Sequence, residues 1–207
     1  VVTETNKYYC TANGWVSLMS WNWDVPKEAH FNPNITYGSM TDERDGKVYR
    51  TVQIGDQIWM AENLNYADSV KTPSLLERSW CYDNKTENCD VAGRLYTWAA
   101  AIDYVALCDN GNGVNCGDGV PTKKVRGICP SGWHLPRFDG GYDDEFLILY
   151  NAAGEETSGK ALKSQMGWEY RGNKYIGTDT FGFSGIPAGY RTSSGEFSSA
   201  GGLAYFH

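Results

Sequence analysis

Two sets of side chains in this 207-residue chain have types and spacing suited to holding a ligand. The first is aromatic: Trp15, Trp21 and Trp23 near the start, and Trp168, Tyr170 and Tyr175 in the segment WEYRGNKY. Sugar rings present apolar C–H faces that stack on indole and phenol rings, while Asp, Asn and Arg side chains bond to the hydroxyls. Alternating aromatics usually pack inward, so at least half of these six are expected to be buried. Asp179 and Arg191 flank the run TFGFSGIPAGY and could form an ion pair that shapes a pocket, with a purely structural role as the stronger expectation. The second set is a loop of hard oxygen donors, CDNGNGVNCGDG, in which Asp109, Asn110, Asn112 and Asp118 suit a calcium ion. Gly111 and Gly113 stand where a twelve-residue calcium loop needs side-chain oxygens, so calcium is admitted here without being required.

Catalytic chemistry needs a nucleophile with a base, a pair of tuned carboxylates, or a metal with an open position, and none is legible. Ser184 in FGFSG lacks the second glycine of a nucleophile elbow and reads as a small core residue. The densest segment, GICPSGWHLP at 127–136, reads as a rigid corner: Pro130 and Pro136 fix φ, Gly132 frees it, and Trp133 anchors. His134 has no second histidine nearby and is expected to be half-buried and hydrogen-bonded. The string WNWD at 21–24 carries an extra tryptophan and lies too early to be a lectin calcium signature. The chain is therefore read as a non-enzyme.

Six cysteines without a CxxC pair, and only three scattered histidines, argue for disulfides over zinc. Cys81 and Cys89 bracket one short turn-rich stretch and Cys108 and Cys116 another, so Cys81–Cys89 and Cys108–Cys116 are the expected bridges. Cys10 and Cys129 remain, to pair with each other or with sequence outside this chain. An oxidising, extracellular or cell-surface location follows. The formal charge of −7 repels phosphate backbones, and Lys123, Lys124 and Arg126 are too short a basic cluster to offset it, which excludes nucleic acid as a partner. No run of about 18 apolar residues offers a membrane span. The start at Val1 without a charged-then-apolar leader fits a processed mature chain.

The elements that would position these groups are short. Residues 7–23 alternate around Asn13-Gly14 and predict an N-terminal aromatic β-hairpin. Residues 24–41 lack periodicity and read as a linker or strap, with a domain boundary near Met40, giving units at 1–41 and 42–207. Val48, Arg50, Val52 and Ile54, a Gly55-Asp56 turn and Gln57–Met60 predict a second hairpin that buries Val52, Ile54 and either Ile58 or Met60. Trp98, Ala101, Ile102 and Val105 fall at i, i+3, i+4 and i+7, predicting a helix that ends before Cys108. Asp143 or Asp144 caps a second helix through Phe146, Leu147, Leu149 and Tyr150 that stops at Gly154, with β-like, glycine-rich chain beyond. Low charge and high aromatic content complete an α+β reading.

Five blocks in order, DGKVYRTVQIGDQIWMAENLNY, GRLYTWAAAID, CPSGWHLP, GKALKS with GW, and GTDTFGFSGIPAGYR, resemble the Fibrobacter succinogenes major paralogous domain family over about residues 42–207. That group comprises secreted or surface-attached bacterial proteins. GWHLP followed by an acidic helix is also similar to the C-type lectin-like superfamily, with Phe146 where many relatives have tryptophan. The resemblance implies two helices against a small twisted antiparallel sheet with long irregular loops. It also implies a final serine-rich strand and a cysteine partner for Cys129, whereas this chain ends at Phe206-His207 and is read as C-terminally truncated. An open edge left there would accept a neighbour's strand. The expected function is an extracellular adhesion or binding module for polysaccharide. The alternative is a structural subunit of a surface assembly, and a formylglycine-generating type of enzyme is a distant third.

Overall fold

The computed structural model describes residues 8–104, 124–137, 144–169 and 177–206. These form a mixed α and β body with few, short helices and small antiparallel sheets. Strands β1 (Tyr8–Thr11) and β2 (Gly14–Ser17) make the N-terminal hairpin. Thr11 pairs with Gly14, so the turn is Ala12-Asn13, one residue earlier than the Asn-Gly signal suggests. The Thr11 hydroxyl closes it, accepting from Asn13 N at 3.1 Å and donating to Gly14 O at 2.9 Å. Leu18 then turns inward and is buried, and Gly167 N donates to its carbonyl at 3.0 Å, tying the hairpin to the body.

The strap packs as core. Val25, Phe31 and Asn32 are buried, and Asn32 Nδ2 donates to Asp179 O at 2.8 Å. Strands β3 (Gly38–Thr41), β4 (Val48–Ile54) and β5 (Gln57–Met60) form an antiparallel sheet in that order. The boundary expected near Met40 thus falls inside β3, which pairs residue by residue with β4. Between them Asp42 is fully buried and accepts from Arg44 N, Nε and Nη2 at 3.1, 2.9 and 2.7 Å. Burial alone would raise its pKa, but the guanidinium outweighs that and holds the carboxyl below its usual range.

Gly55-Asp56 turns the chain between β4 and β5 as expected, since Ile54 pairs with Gln57. The buried face differs in one position. Val52 pairs with Trp59, which packs on the core, while Ile58 lies on the opposite face at 64% exposure. Phe31, Val52, Ile54, Ala61, Leu149 and Phe183 form the main core, and Tyr66, Leu75, Ala100 and Ile128 a second. Each fully buried large side chain among them stabilises by about 1.5–3 kcal/mol.

Four helices occur among the described residues: α1 (Thr86–Ala92), α2 (Trp98–Ala101), α3 (Glu145–Ala152) and α4 (Ser158–Leu162). The helix expected from Thr97 is cut to four residues, because Asp103 takes a left-handed φ of 50°. Its buried stripe is Ala100, Ala101 and Ile102, and Trp98 is 52% exposed. The second expected helix is present as α3, with Asp144 Oδ1 accepting from Leu147 N at 3.1 Å and Gly154 at φ 89° beyond its end. Earlier in the chain the two-residue strands β6 (Ser79–Trp80) and β7 (Leu95–Tyr96) pair around α1, and after α3 the chain continues into α4 before β8 (Tyr190–Arg191) pairs with β9 (Phe197–Ser198).

Cys81 and Cys89 form the expected disulfide, bracketing α1's first turn. The Cys108–Cys116 pair and the calcium candidates lie outside the described residues. Cys10 and Cys129 carry free thiols and do not bridge each other: Cys10 is exposed on β1, whereas Cys129 is half-buried in the 127–136 corner. Burial pushes the Cys129 thiol up to about 12, so it stays protonated. Closing the eight-residue separation of Cys81–Cys89 removes unfolded-state entropy worth about 2.5 kcal/mol. Selective reduction, or Cys81→Ser with Cys89→Ser, should lower unfolding free energy by about that amount in a urea titration. An unchanged midpoint would contradict this.

Candidate functional site: an aromatic groove

The 127–136 corner is fixed by backbone bonds. Ile128 N donates to Ala101 O at 3.0 Å, Trp133 N to Pro130 O at 3.0 Å, and Leu135 N to Val125 O at 2.8 Å. Gly127 has φ 53°, and a Cβ there would lie 2.0 Å from Ala101 O. The corner therefore presses on the end of α2 and holds Trp133 and His134 beside it. His134 is half-buried and bonded, as expected: its Nε2 is 2.7 Å from Glu145 Oε1 at the start of α3. Lys124 Nζ reaches the same carboxylate oxygen at 3.0 Å, and Arg137 N donates to Oε2 at 3.0 Å. Burial opposes ionisation of Glu145, but these donors outweigh it and keep the carboxyl below its usual range.

Trp98, Trp133, Tyr190 and Tyr205 line one cavity of about 1280 Å³ together with the carboxylates of Glu62 and Glu145. Trp98 is 52% and Tyr205 66% exposed, while Trp133 and Tyr190 are half-buried. Tyr205 stands edge-on to Tyr190, ring centroids 5.4 Å apart. A second cavity of about 990 Å³ shares Trp98 and Tyr205 with the first. Such a groove can hold a ligand by ring stacking and by hydrogen bonds to carboxylates.

Of the described residues singled out from sequence as ligand-binding candidates, all but one lie outside this cavity. Trp15 is 73% exposed on the hairpin and outside this groove. Trp21 and Trp23 pack in a run of rings: Trp21 stacks on buried His30 at 5.2 Å and meets Trp23 edge-on at 4.9 Å, and Trp23 lies 5.0 Å from Tyr82. Burial lowers the His30 pKa to about 4, so that imidazole is neutral. Trp168 is 8% exposed and donates its Nε1 to Gly185 O at 3.1 Å, a packing role. Tyr170 and Tyr175 lie outside the described residues. Arg191 does line the groove.

The ion pair that Asp179 and Arg191 could have made is not formed. Asp179 is fully buried and accepts from Ser184 N at 2.7 Å and Ser184 Oγ at 2.8 Å, while Arg191 lies 4.1 Å over the Trp80 ring. Two side chains that frame one loop in sequence are drawn apart because each finds another partner, Asp179 a local one and Arg191 a distant one. Ser184 is a buried small residue, as expected, and also meets the Tyr37 hydroxyl at 2.9 Å. Trp98, Trp133 and Tyr205 were not among the sequence candidates. Trp98 matches a helical core pattern, Trp133 an anchor, and only exposure separates a binding ring from a packed one.

Desolvation raises the Asp179 pKa above its ordinary 3.8, against the opposing Ser184 bonds. Its raised folded value means that it favours folding at pH below about 4 and that this contribution is lost as pH rises through the folded pKa. Asp179→Asn keeps an acceptor for Ser184 N and removes the charge. Its unfolding free energy should fall less than the wild type's between pH 4 and pH 7; identical pH profiles would contradict the assignment.

A model of the Fibrobacter succinogenes major domain matches residues 52–207. The chain belongs to the Fibrobacter succinogenes major domain family. No curated protein and no solved structure matches it. The match to this family opens within β4 and takes in every ring and carboxylate named above for the groove. The strap and β3, which complete the core and sheet, precede the Fibrobacter succinogenes major domain match.

Proposed function

We propose that this chain is an extracellular bacterial surface module that binds polysaccharide in the aromatic groove. The observation that carries the reading is Trp98 and Tyr205, two large rings exposed in the same cavity as the Glu62 and Glu145 carboxylates. Leaving each ring in water forgoes about 1.5–3 kcal/mol of burial, a cost that a ligand's apolar face would offset. The carboxylates would accept from sugar hydroxyls, and His134 would hold Glu145 in place. The same reading takes the body as C-type lectin-like, supported by the WHLP corner followed later in the chain by the Asp144-capped α3. Adhesion to a surface glycan is the role that follows.

A second reading, a subunit of a surface assembly, is favoured by the N-terminal hairpin, where Trp15 and Tyr8 are 73% and 54% exposed. Binding of the purified, oxidised protein to soluble and insoluble plant and microbial polysaccharides, alongside light-scattering mass, separates the two. Saturable binding supports the groove, and its loss in a chelator would place a metal in the site. No binding with a mass above the monomer supports assembly.

A further inference from the structure

Resting on the glycan reading, we infer that the groove selects an acidic polysaccharide, with Arg191 as the receptor of its carboxylate or sulfate groups. The cationic side chains around the cavity divide into two sorts. Lys27 is paired with Glu62, Lys47 with Asp45 and Lys124 with Glu145. The guanidiniums of Arg191 and Arg94 have no carboxylate partner among the described residues.

Arg191 lies over Trp80, 4.1 Å from the ring centroid, and 5.7 Å from Phe197, and its Nε is buried without a hydrogen-bond partner. Arg94 donates only to neutral atoms: Nη2 to Ser79 O and Oγ at 3.1 and 3.3 Å, and Nη1 to the Cys81 and Cys89 sulfurs at 3.4 and 3.7 Å. Its Nε is also buried and unpartnered. Both terminal nitrogens of Arg94 are thus engaged with Ser79 and the disulfide sulfurs, which leaves Arg191 as the guanidinium for a ligand.

The chemistry of this arrangement fits an oxyanion. A guanidinium fixed on an indole face has lost most of its rotamer freedom before a ligand arrives, and its planar N–H fork matches the geometry of a carboxylate or sulfate. A neutral sugar would leave that fork without an acceptor of comparable strength. The chain's net charge of −7 disfavours indiscriminate adsorption of polyanions, so a preference for acidic sugars would report a local site.

The test compares three oligosaccharides of equal length by calorimetry: oligogalacturonate, a sulfated galactan and a neutral galactan, against wild type, Arg191→Gln and Arg191→Lys. The wild type should bind at least one acidic oligomer about tenfold or more tightly than the neutral one, and the preferred acid identifies the group read. In Arg191→Gln the ratio of acidic to neutral affinity should fall close to one. Arg191→Lys, which keeps the charge without the fork, should give an intermediate ratio and serves if the glutamine variant does not fold. Equal affinity of the wild type for neutral and acidic oligomers overturns this inference and leaves glycan binding standing. Failure to bind any oligomer overturns both.

Discussion

Gly127→Ala should unfold far more readily than the wild type. Two costs add at this position. The backbone sits at φ 53°, where a side chain is strained by about 1–3 kcal/mol. The new Cβ would also fall 2.0 Å from Ala101 O and 3.1 Å from Ile102 Cα, both backbone atoms that no rotamer change can move. Relief requires the corner to lift off α2, breaking the Ile128 N to Ala101 O bond at 3.0 Å and loosening Ile128 from the second core. Together these amount to about 3–5 kcal/mol. A urea titration reads this directly, and a midpoint equal to wild type would refute the close approach. Because the same corner carries Trp133 and His134, any folded fraction should also show a disturbed groove.

Trp168→Ala comes next, with an expected loss of about 3–5 kcal/mol. The ring is 8% exposed, donates to Gly185 O at 3.1 Å and lies beneath Lys163 Nζ at 4.3 Å from its centroid. Truncation empties a large volume, leaves the Gly185 carbonyl with Ser164 N as its remaining donor and removes the surface on which Lys163 rests. A polysaccharide contact would give the opposite pattern: weaker binding with stability nearly unchanged. Thermal unfolding of Trp168→Ala beside Trp15→Ala separates the cases, since Trp15 is 73% exposed and its removal should leave the melting temperature within a degree or two.

Local features were legible in the sequence where one residue's chemistry decides the outcome. The Gly55-Asp56 turn, the Asp144 cap, the Gly154 stop and the Cys81–Cys89 bridge depend on near neighbours and appear where the residue types place them. Features set by distant partners were not. Ile58 or Met60 reads as core by alternation, yet Trp59, paired with Val52, takes the core face and turns Ile58 to the other. The strap reads as a linker because its burial rests on irregular contacts such as Asn32 to Asp179, with no period to betray them. Helix α2 ends early because Asp103 adopts a left-handed turn, its carboxylate accepting from buried Ser74 at 2.6 Å across 29 residues.

The groove shows the same division more sharply. Aromatic content pointed to stacking surfaces, but not to which rings would remain in water. Trp21 and Trp23 find ring partners in His30 and Tyr82, which come from a turn in the strap and a turn before α1. Trp98 keeps its exposure because the three residues behind it, Ala100, Ala101 and Ile102, take the buried side of a helix only one turn long. Arg191 was singled out for a partner it does not have, and the Trp80 ring that receives it lies more than a hundred residues away.

The most direct measurement is the affinity of wild type, Trp98→Ala and Trp15→Ala for the polysaccharide that the wild type binds, with melting curves for all three. Removing one stacking ring should weaken binding by about 1.5–3 kcal/mol, roughly 10- to 150-fold. The expected result is that loss for Trp98→Ala with its fold intact, and wild-type affinity for Trp15→Ala. Unchanged binding by Trp98→Ala, with the loss falling on Trp15→Ala, would contradict the groove as the site and move recognition to the N-terminal hairpin.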